Sequence, residues 1–124
     1  MRRMILIEAD DELAACVHDY FVGQYDVTRV ADLEAASREL RSGTENVLIA
    51  DIDSGTPAQT ALIDSLRRDH PDLKIVVTYL VPQPGDDWAA RVSGPADVVV
   101  RKPYSVLDVD RMLRENGEDT GDKS

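Results

Sequence analysis

The feature that most constrains this chain is an alternation. Five short apolar runs take turns with five stretches of helical periodicity, and few architectures accept that order. The runs are Met4–Ile7, Tyr25–Val30, Asn46–Ala50, Lys74–Thr78 and Asp97–Arg101. Most are β-branched and continuously apolar, as expected of parallel strands covered on both faces. The second alternates apolar with polar residues, which predicts an edge strand with one wet side. At 124 residues the chain is long enough for a single core. The pattern predicts an α/β fold, a doubly wound five-stranded parallel sheet with helices on both faces. Residues 1–117 are expected to form that domain, with 118–124 as a polar tail.

The intervening segments carry helix signals. Leu13, Cys16, Val17 and Tyr20 keep helical spacing up to Gly23, and Leu33, Ala36 and Leu40 do so before Ser42-Gly43. Thr56-Pro57 reads as an N-cap followed by proline at the first helical position, with Leu62, Ile63 and Leu66 on one face and His70-Pro71 as the stop. A short helix is expected from Asp86 or Asp87 through Trp88 and Val92 to Gly94-Pro95. Ser105-Val-Leu-Asp108 resembles a capping box ahead of Val109 and Leu113.

Composition narrows the partners. A formal net charge of −10 argues against nucleic acid as a direct partner and suits cations or basic protein surfaces. The single cysteine, Cys16, excludes an internal disulfide and is expected to pack in the core. Arg2 and Arg3 precede too short an apolar run for a signal peptide, and no run approaches membrane-spanning length, so a cytoplasmic location is expected. His18 and His70 are expected on helix surfaces, and Trp88 in packing.

In a sheet of this kind ligands gather beyond the C-terminal ends of the strands. There the chain offers Glu8, Asp10 and Asp11 after the first run, Asp51 and Asp53 after the third, Thr78-Tyr79 after the fourth and Lys102-Pro103-Tyr104 after the fifth. If the central strands are neighbours, carboxylates, a hydroxyl and an ammonium converge. Carboxylate and backbone oxygens suit magnesium. Such a cation relieves repulsion among the acids and lets an aspartate act as nucleophile toward phosphorus. A lysine and a threonine would stabilise the phosphoryl oxygens. Phosphorylation of an aspartate is thus a candidate chemistry.

Four motifs, in order, carry a resemblance: ILIEADDE, NVLIADID, IVVT and ADVVVRKPYS. Over Met4 to about Leu113 the chain resembles the receiver domain of two-component response regulators. The resemblance implies a flavodoxin-like sheet of strand order 2-1-3-4-5. It implies Asp51 as phosphoacceptor, Thr78 as the switch hydroxyl, Lys102 as the phosphate-contacting lysine and a cis Lys102-Pro103 peptide. It implies Mg2+ bound by Asp10, by Asp51 and by the backbone carbonyl of Asp53, with Asp11 or Glu8 as further candidates. The implied partners are a histidine kinase or phosphotransfer protein and an output protein, for a monomer or weak homodimer that is not itself an enzyme.

The chain also departs from the pattern. Receivers usually carry two adjacent acids after the first strand; the preferred register puts that pair at Ala9 and Asp10, with Asp11 capping the helix, and a one-residue slip puts it at Asp10 and Asp11. The first register replaces an acid by Ala9 and weakens the expected magnesium site. Gly55 stands where proline is common, Tyr79 places a ring where it would narrow access to Asp51, and Val99 stands in place of the switch aromatic. These departures define an alternative, a pseudo-receiver that binds partners without phosphate. A flavodoxin-like nucleotide binder is a further rival, but it would want a Gly/Ser/Thr-rich loop where this chain has carboxylates.

Overall fold

A computed structural model describes residues 2–40, 46–52, 57–79, 96–102 and 104–115. Five strands, β1 (Arg2–Ile7), β2 (Tyr25–Arg29), β3 (Asn46–Asp51), β4 (Lys74–Tyr79) and β5 (Val98–Arg101), form one sheet in the order β2-β1-β3-β4-β5. Every pairing is parallel. The edge position expected of β2 is observed. Four helices are described: α1 (Asp11–Phe21), α2 (Leu33–Glu39), α3 (Pro57–Asp69) and α4 (Val106–Leu113). Thr56, the expected helix at 86–92 with Trp88, and the tail lie outside the described residues.

Strand side chains alternate between faces, and the alternation sorts the core into two clusters. Ile5, Ile7, Leu48, Ala50, Ile75 and Val77 face α2 and α3, where Leu33, Ala36, Ile63 and Leu66 are buried. Met4, Leu6, Val47, Ile49, Val76 and Val100 face α1 and α4, where Val17, Phe21, Val109 and Leu113 are buried. Each fully buried large side chain such as Phe21 contributes roughly 1.5–3 kcal/mol.

One expectation on α1 is corrected. Its core-facing residues are Ala14, Val17 and Phe21, and Cys16 is exposed. Several sets of positions along this helix satisfy helical spacing, and the one that meets the sheet leaves Cys16 toward solvent. At the opposite end of the sheet from the strand tips, Asp97 accepts from the Ile75 amide at 2.7 Å and from Arg67 at 2.6 Å. This ties the start of β5 to the start of β4 and the end of α3.

Candidate functional site

Register builds the site. Ala50 lies beside Ile7 and Asp51 beside Thr78, while Tyr79 lies beside Arg101. Glu8 and Lys102 are therefore the next residues beyond β1 and β5. Following the alternation, Glu8, Asp51, Thr78 and Lys102 share the parity of the α1/α4 face and form one row across the strand tips.

Lys102 joins the row. Its Nζ donates to Glu8 Oε2 at 2.9 Å and to Asp51 Oδ2 at 3.1 Å. All three side chains are withdrawn from solvent, Glu8 almost completely. Burial opposes the ammonium charge, but the hydrogen bonds to Glu8 and Asp51 and their negative charges outweigh it and hold the Lys102 pKa above its ordinary value. Thr78, fully buried, points Oγ1 toward Asp51 Oδ1 at 3.4 Å, a contact longer than a tight hydroxyl hydrogen bond. The Asp51, Thr78 and Lys102 picked out from the sequence thus come together.

The acidic stretch is arranged differently from the expectation. Asp10, not Asp11, is the N-cap of α1: its Oδ1 accepts from the amides of Glu12 at 2.9 Å and Leu13 at 3.2 Å. Asp11 projects from the first turn and pairs with Arg29 at 2.9 Å. Since β1 ends at Ile7 and the cap is Asp10, the two positions between strand and cap are Glu8 and Ala9. Neither anticipated register, Ala9-Asp10 or Asp10-Asp11, describes this geometry. The acid in the pocket is Glu8, 3% exposed, with Oε2 also accepting from the Asp10 amide at 3.0 Å. Glu8 Oε1 is buried and has no hydrogen-bond partner among the described residues.

Tyr104 adds a second such atom. Its hydroxyl is buried without a partner among the described residues. Burial first, then the charges of Glu8 and Asp51, push its pKa well above the ordinary tyrosine value. Sequence reasoning placed Tyr104 after Lys-Pro but gave no sign of this stranded hydroxyl, because a sequence does not reveal which polar atoms go unpaired. Tyr79 packs against the α2/α3-side cluster, as Val99 does, so its ring lies on the face opposite Thr78. Asp53, Gly55 and Pro103, with the expected cis peptide, lie outside the described residues.

The donor set can be tested against magnesium. No group of three or more His, Cys, Asp or Glu residues gathers for a metal among the described residues. Two carboxylates do meet, and the unpartnered Glu8 Oε1 is an acceptor without a donor. That is a minimal fit, sufficient for an ion that keeps several waters and shares a phosphate.

No family model and no curated relative matches the sequence. Solved structures do match. A CheY-like receiver domain protein from Methanospirillum hungatei JF-1 superposes with a TM-score of 0.79 at 14% identity, over 100% of this chain and 99% of that one. The response regulator TrrA from Thermotoga maritima, solved with Mg(2+)-BeF, gives 0.72 at 17% identity over 94% and 99% of the two chains. A response regulator from Burkholderia pseudomallei, solved with a phosphorylated aspartic acid, a calcium ion and citrate, gives 0.70 at 18% identity over 99% and 72%. The chain has the fold of a response regulator receiver domain. Among the described residues no helix is long and apolar enough to cross a membrane.

Proposed function

We propose that the chain is a phosphorelay receiver that accepts a phosphoryl group on Asp51 from a histidine kinase or phosphotransfer protein. The observation that carries this reading is the meeting of Asp51 with Lys102 at 3.1 Å and with Thr78 at 3.4 Å at the strand tips. In the reaction an Asp51 oxygen bonds to phosphorus as the donor's phosphorus–nitrogen bond breaks. The electron pair leaves with the donor imidazole, which takes up a proton. Lys102, held protonated by its two carboxylate partners, turns to the new phosphoryl oxygens, and the Thr78 hydroxyl donates to them. Glu8 and Asp51 are the carboxylates that would hold Mg2+, with Asp10 at the margin and the Asp53 carbonyl as the ligand implied by the resemblance. Bound there, the ion neutralises the charge that the carboxylates and phosphate bring together. Drawing Lys102 and Thr78 toward the phosphate would change the surface offered to an output protein.

A second reading rests on one observation. Lys102 already pairs with both Glu8 and Asp51 and offsets one of their two charges, and Ala9 contributes no carboxylate. A pocket partly compensated from within suits an interaction module that works without phosphate. Incubation with acetyl phosphate and magnesium, read by intact mass, separates the two. Phosphorylation predicts one phosphoryl adduct on the native chain and none on Asp51→Asn. Absence of an adduct, together with no magnesium-dependent beryllofluoride binding, leaves the interaction module.

A further inference from the structure

Two helices leave the site on the same face of the sheet. α1 follows the Asp10 cap, two residues after Glu8, and α4 follows the Ser105 cap, three residues after Lys102. Each thus descends from one member of the Glu8–Lys102 pair, and both pack on one core cluster. Polar ties join them at two levels. At the strand tips Lys102 Nζ holds Glu8 Oε2 at 2.9 Å. Lower down, Tyr20 donates to Asp110 Oδ2 at 2.6 Å, and Arg114 Nε holds Asp110 Oδ1 at 3.0 Å. Tyr20 stands ten residues beyond the α1 cap, about 15 Å along the axis, and Asp110 five residues beyond the α4 cap, about 8 Å along. Helix side chains lean toward the N-terminus, so the long Tyr20 side chain reaches back up α1 to its partner.

Packing differs between the two levels. Around the lower tie, Val17 and Phe21 of α1 and Val109 and Leu113 of α4 are buried together. At the upper level Leu13, Tyr104 and Val106 are only partly buried, and Leu107 is 63% exposed. The Tyr104 hydroxyl is buried there without a partner among the described residues. The lower end is therefore fixed by apolar contact and made hydrogen bonds, while the upper end leans on the Lys102–Glu8 pair. Close-packed contacts resist continuous deformation, so a helix released at one end turns about the end that stays packed.

We propose that α4 pivots on the Tyr20–Asp110 tie when Lys102 leaves Glu8, so that the state of the site is read out as an opening of the upper end of the α1–α4 seam. The trigger rests on the phosphorelay reading: a phosphoryl group on Asp51 carries more charge than the carboxylate it caps and draws the ammonium toward β3, away from Glu8. The hinge itself rests on the two ties and on the packing around them. Opening uncovers Leu13, Tyr104 and Val106 beside the already exposed Leu107, which changes the surface where both helices begin.

The test uses the single cysteine. Cys16 is exposed and shares a helical stripe with Leu13 and Tyr20 along the edge of the seam, so a nitroxide attached there reports on α4 through paramagnetic relaxation of its amides. With acetyl phosphate and magnesium, the enhancement at Leu107 and Asp108 should fall at least twofold while that at Met112 and Leu113 stays unchanged. Lys102→Met should give the same pattern with no phosphodonor, and so should the double variant with Glu8→Gln, which removes the tie without leaving the Glu8 charge buried. Tyr20→Phe should take up phosphoryl as the native chain does, but the fall should extend to Met112 and Leu113. An equal fall at both levels in the native chain overturns the pivot. So does an unchanged Leu107 in the phosphate-free variants, or in a chain whose intact mass shows the adduct, and so does Tyr20→Phe behaving as the native chain. Opening in the phosphate-free variants of a chain that takes up no phosphoryl group keeps the hinge and removes the phosphorelay reading.

Discussion

The molecule builds the same trio of side chains twice, a carboxylate, a tyrosine and a cation, with opposite outcomes. Between α1 and α4, Tyr20 donates to Asp110 Oδ2 at 2.6 Å and Arg114 Nε donates to Oδ1 at 3.0 Å. Both carboxylate oxygens are satisfied. At the strand tips Lys102 serves Glu8, yet Glu8 Oε1 and the Tyr104 hydroxyl are both buried without partners among the described residues. A buried polar group left unpaired costs about 1–3 kcal/mol. The first trio is what packing two helices requires. The second retains unmet hydrogen-bonding capacity, the condition expected where a cation or a donor serves the Glu8 oxygen and an acceptor takes the Tyr104 hydroxyl.

The comparison can be broken in order of expected effect. Lys102→Met leaves the Glu8 and Asp51 carboxylates buried together without their cation and should destabilise the fold by roughly 3–5 kcal/mol in urea denaturation. Glu8→Gln added to that variant should recover part of the loss. A loss under about 1 kcal/mol would place the pair in solvent rather than in a buried site. Tyr20→Phe removes a made hydrogen bond and should be destabilising, by less than Lys102→Met, whereas Tyr104→Phe removes a stranded hydroxyl and should be neutral or slightly stabilising. Equal losses in the two tyrosine variants would erase the distinction. The smallest effect is in acid. Burial raises the Asp110 pKa, but the Tyr20 and Arg114 hydrogen bonds outweigh it and hold it below the ordinary carboxylate value of 3.8. The stabilisation is therefore present above that value and lost as pH falls through the lowered one. Tyr20→Phe should shrink this acid limb of a stability–pH curve.

Much of this was legible in the sequence. Met4–Ile7 and Lys74–Thr78 run continuously apolar because both faces of the central strands are covered, and that pattern marked a parallel sheet with Asp51, Thr78 and Lys102 at strand ends; the order of the strands came from the resemblance. The acidic stretch was not legible to the residue. Asp10 and Asp11 are both good N-caps, and one position decides which carboxylate caps the helix; only the end of β1 at Ile7 settles that Glu8 enters the pocket. Cys16 was misplaced because helical spacing fixes a face only to within one residue. The stranded atoms of Glu8 and Tyr104 depend on side-chain paths that no pattern of residue types encodes.

The strand order carries a kinetic consequence. β1 and β3 pair at the centre, while Lys102 follows β5, an edge strand held to the sheet through β4 alone. During folding, Glu8 and Asp51 can come together before the ammonium that reconciles them arrives. Their neutralisation would then be a late event, absent from the transition state. Interactions of that kind act mainly on the rate of escape from the native state. Lys102→Met should accordingly speed unfolding far more than it slows refolding in a stopped-flow chevron, making the pocket a latch on the finished fold rather than a guide toward it.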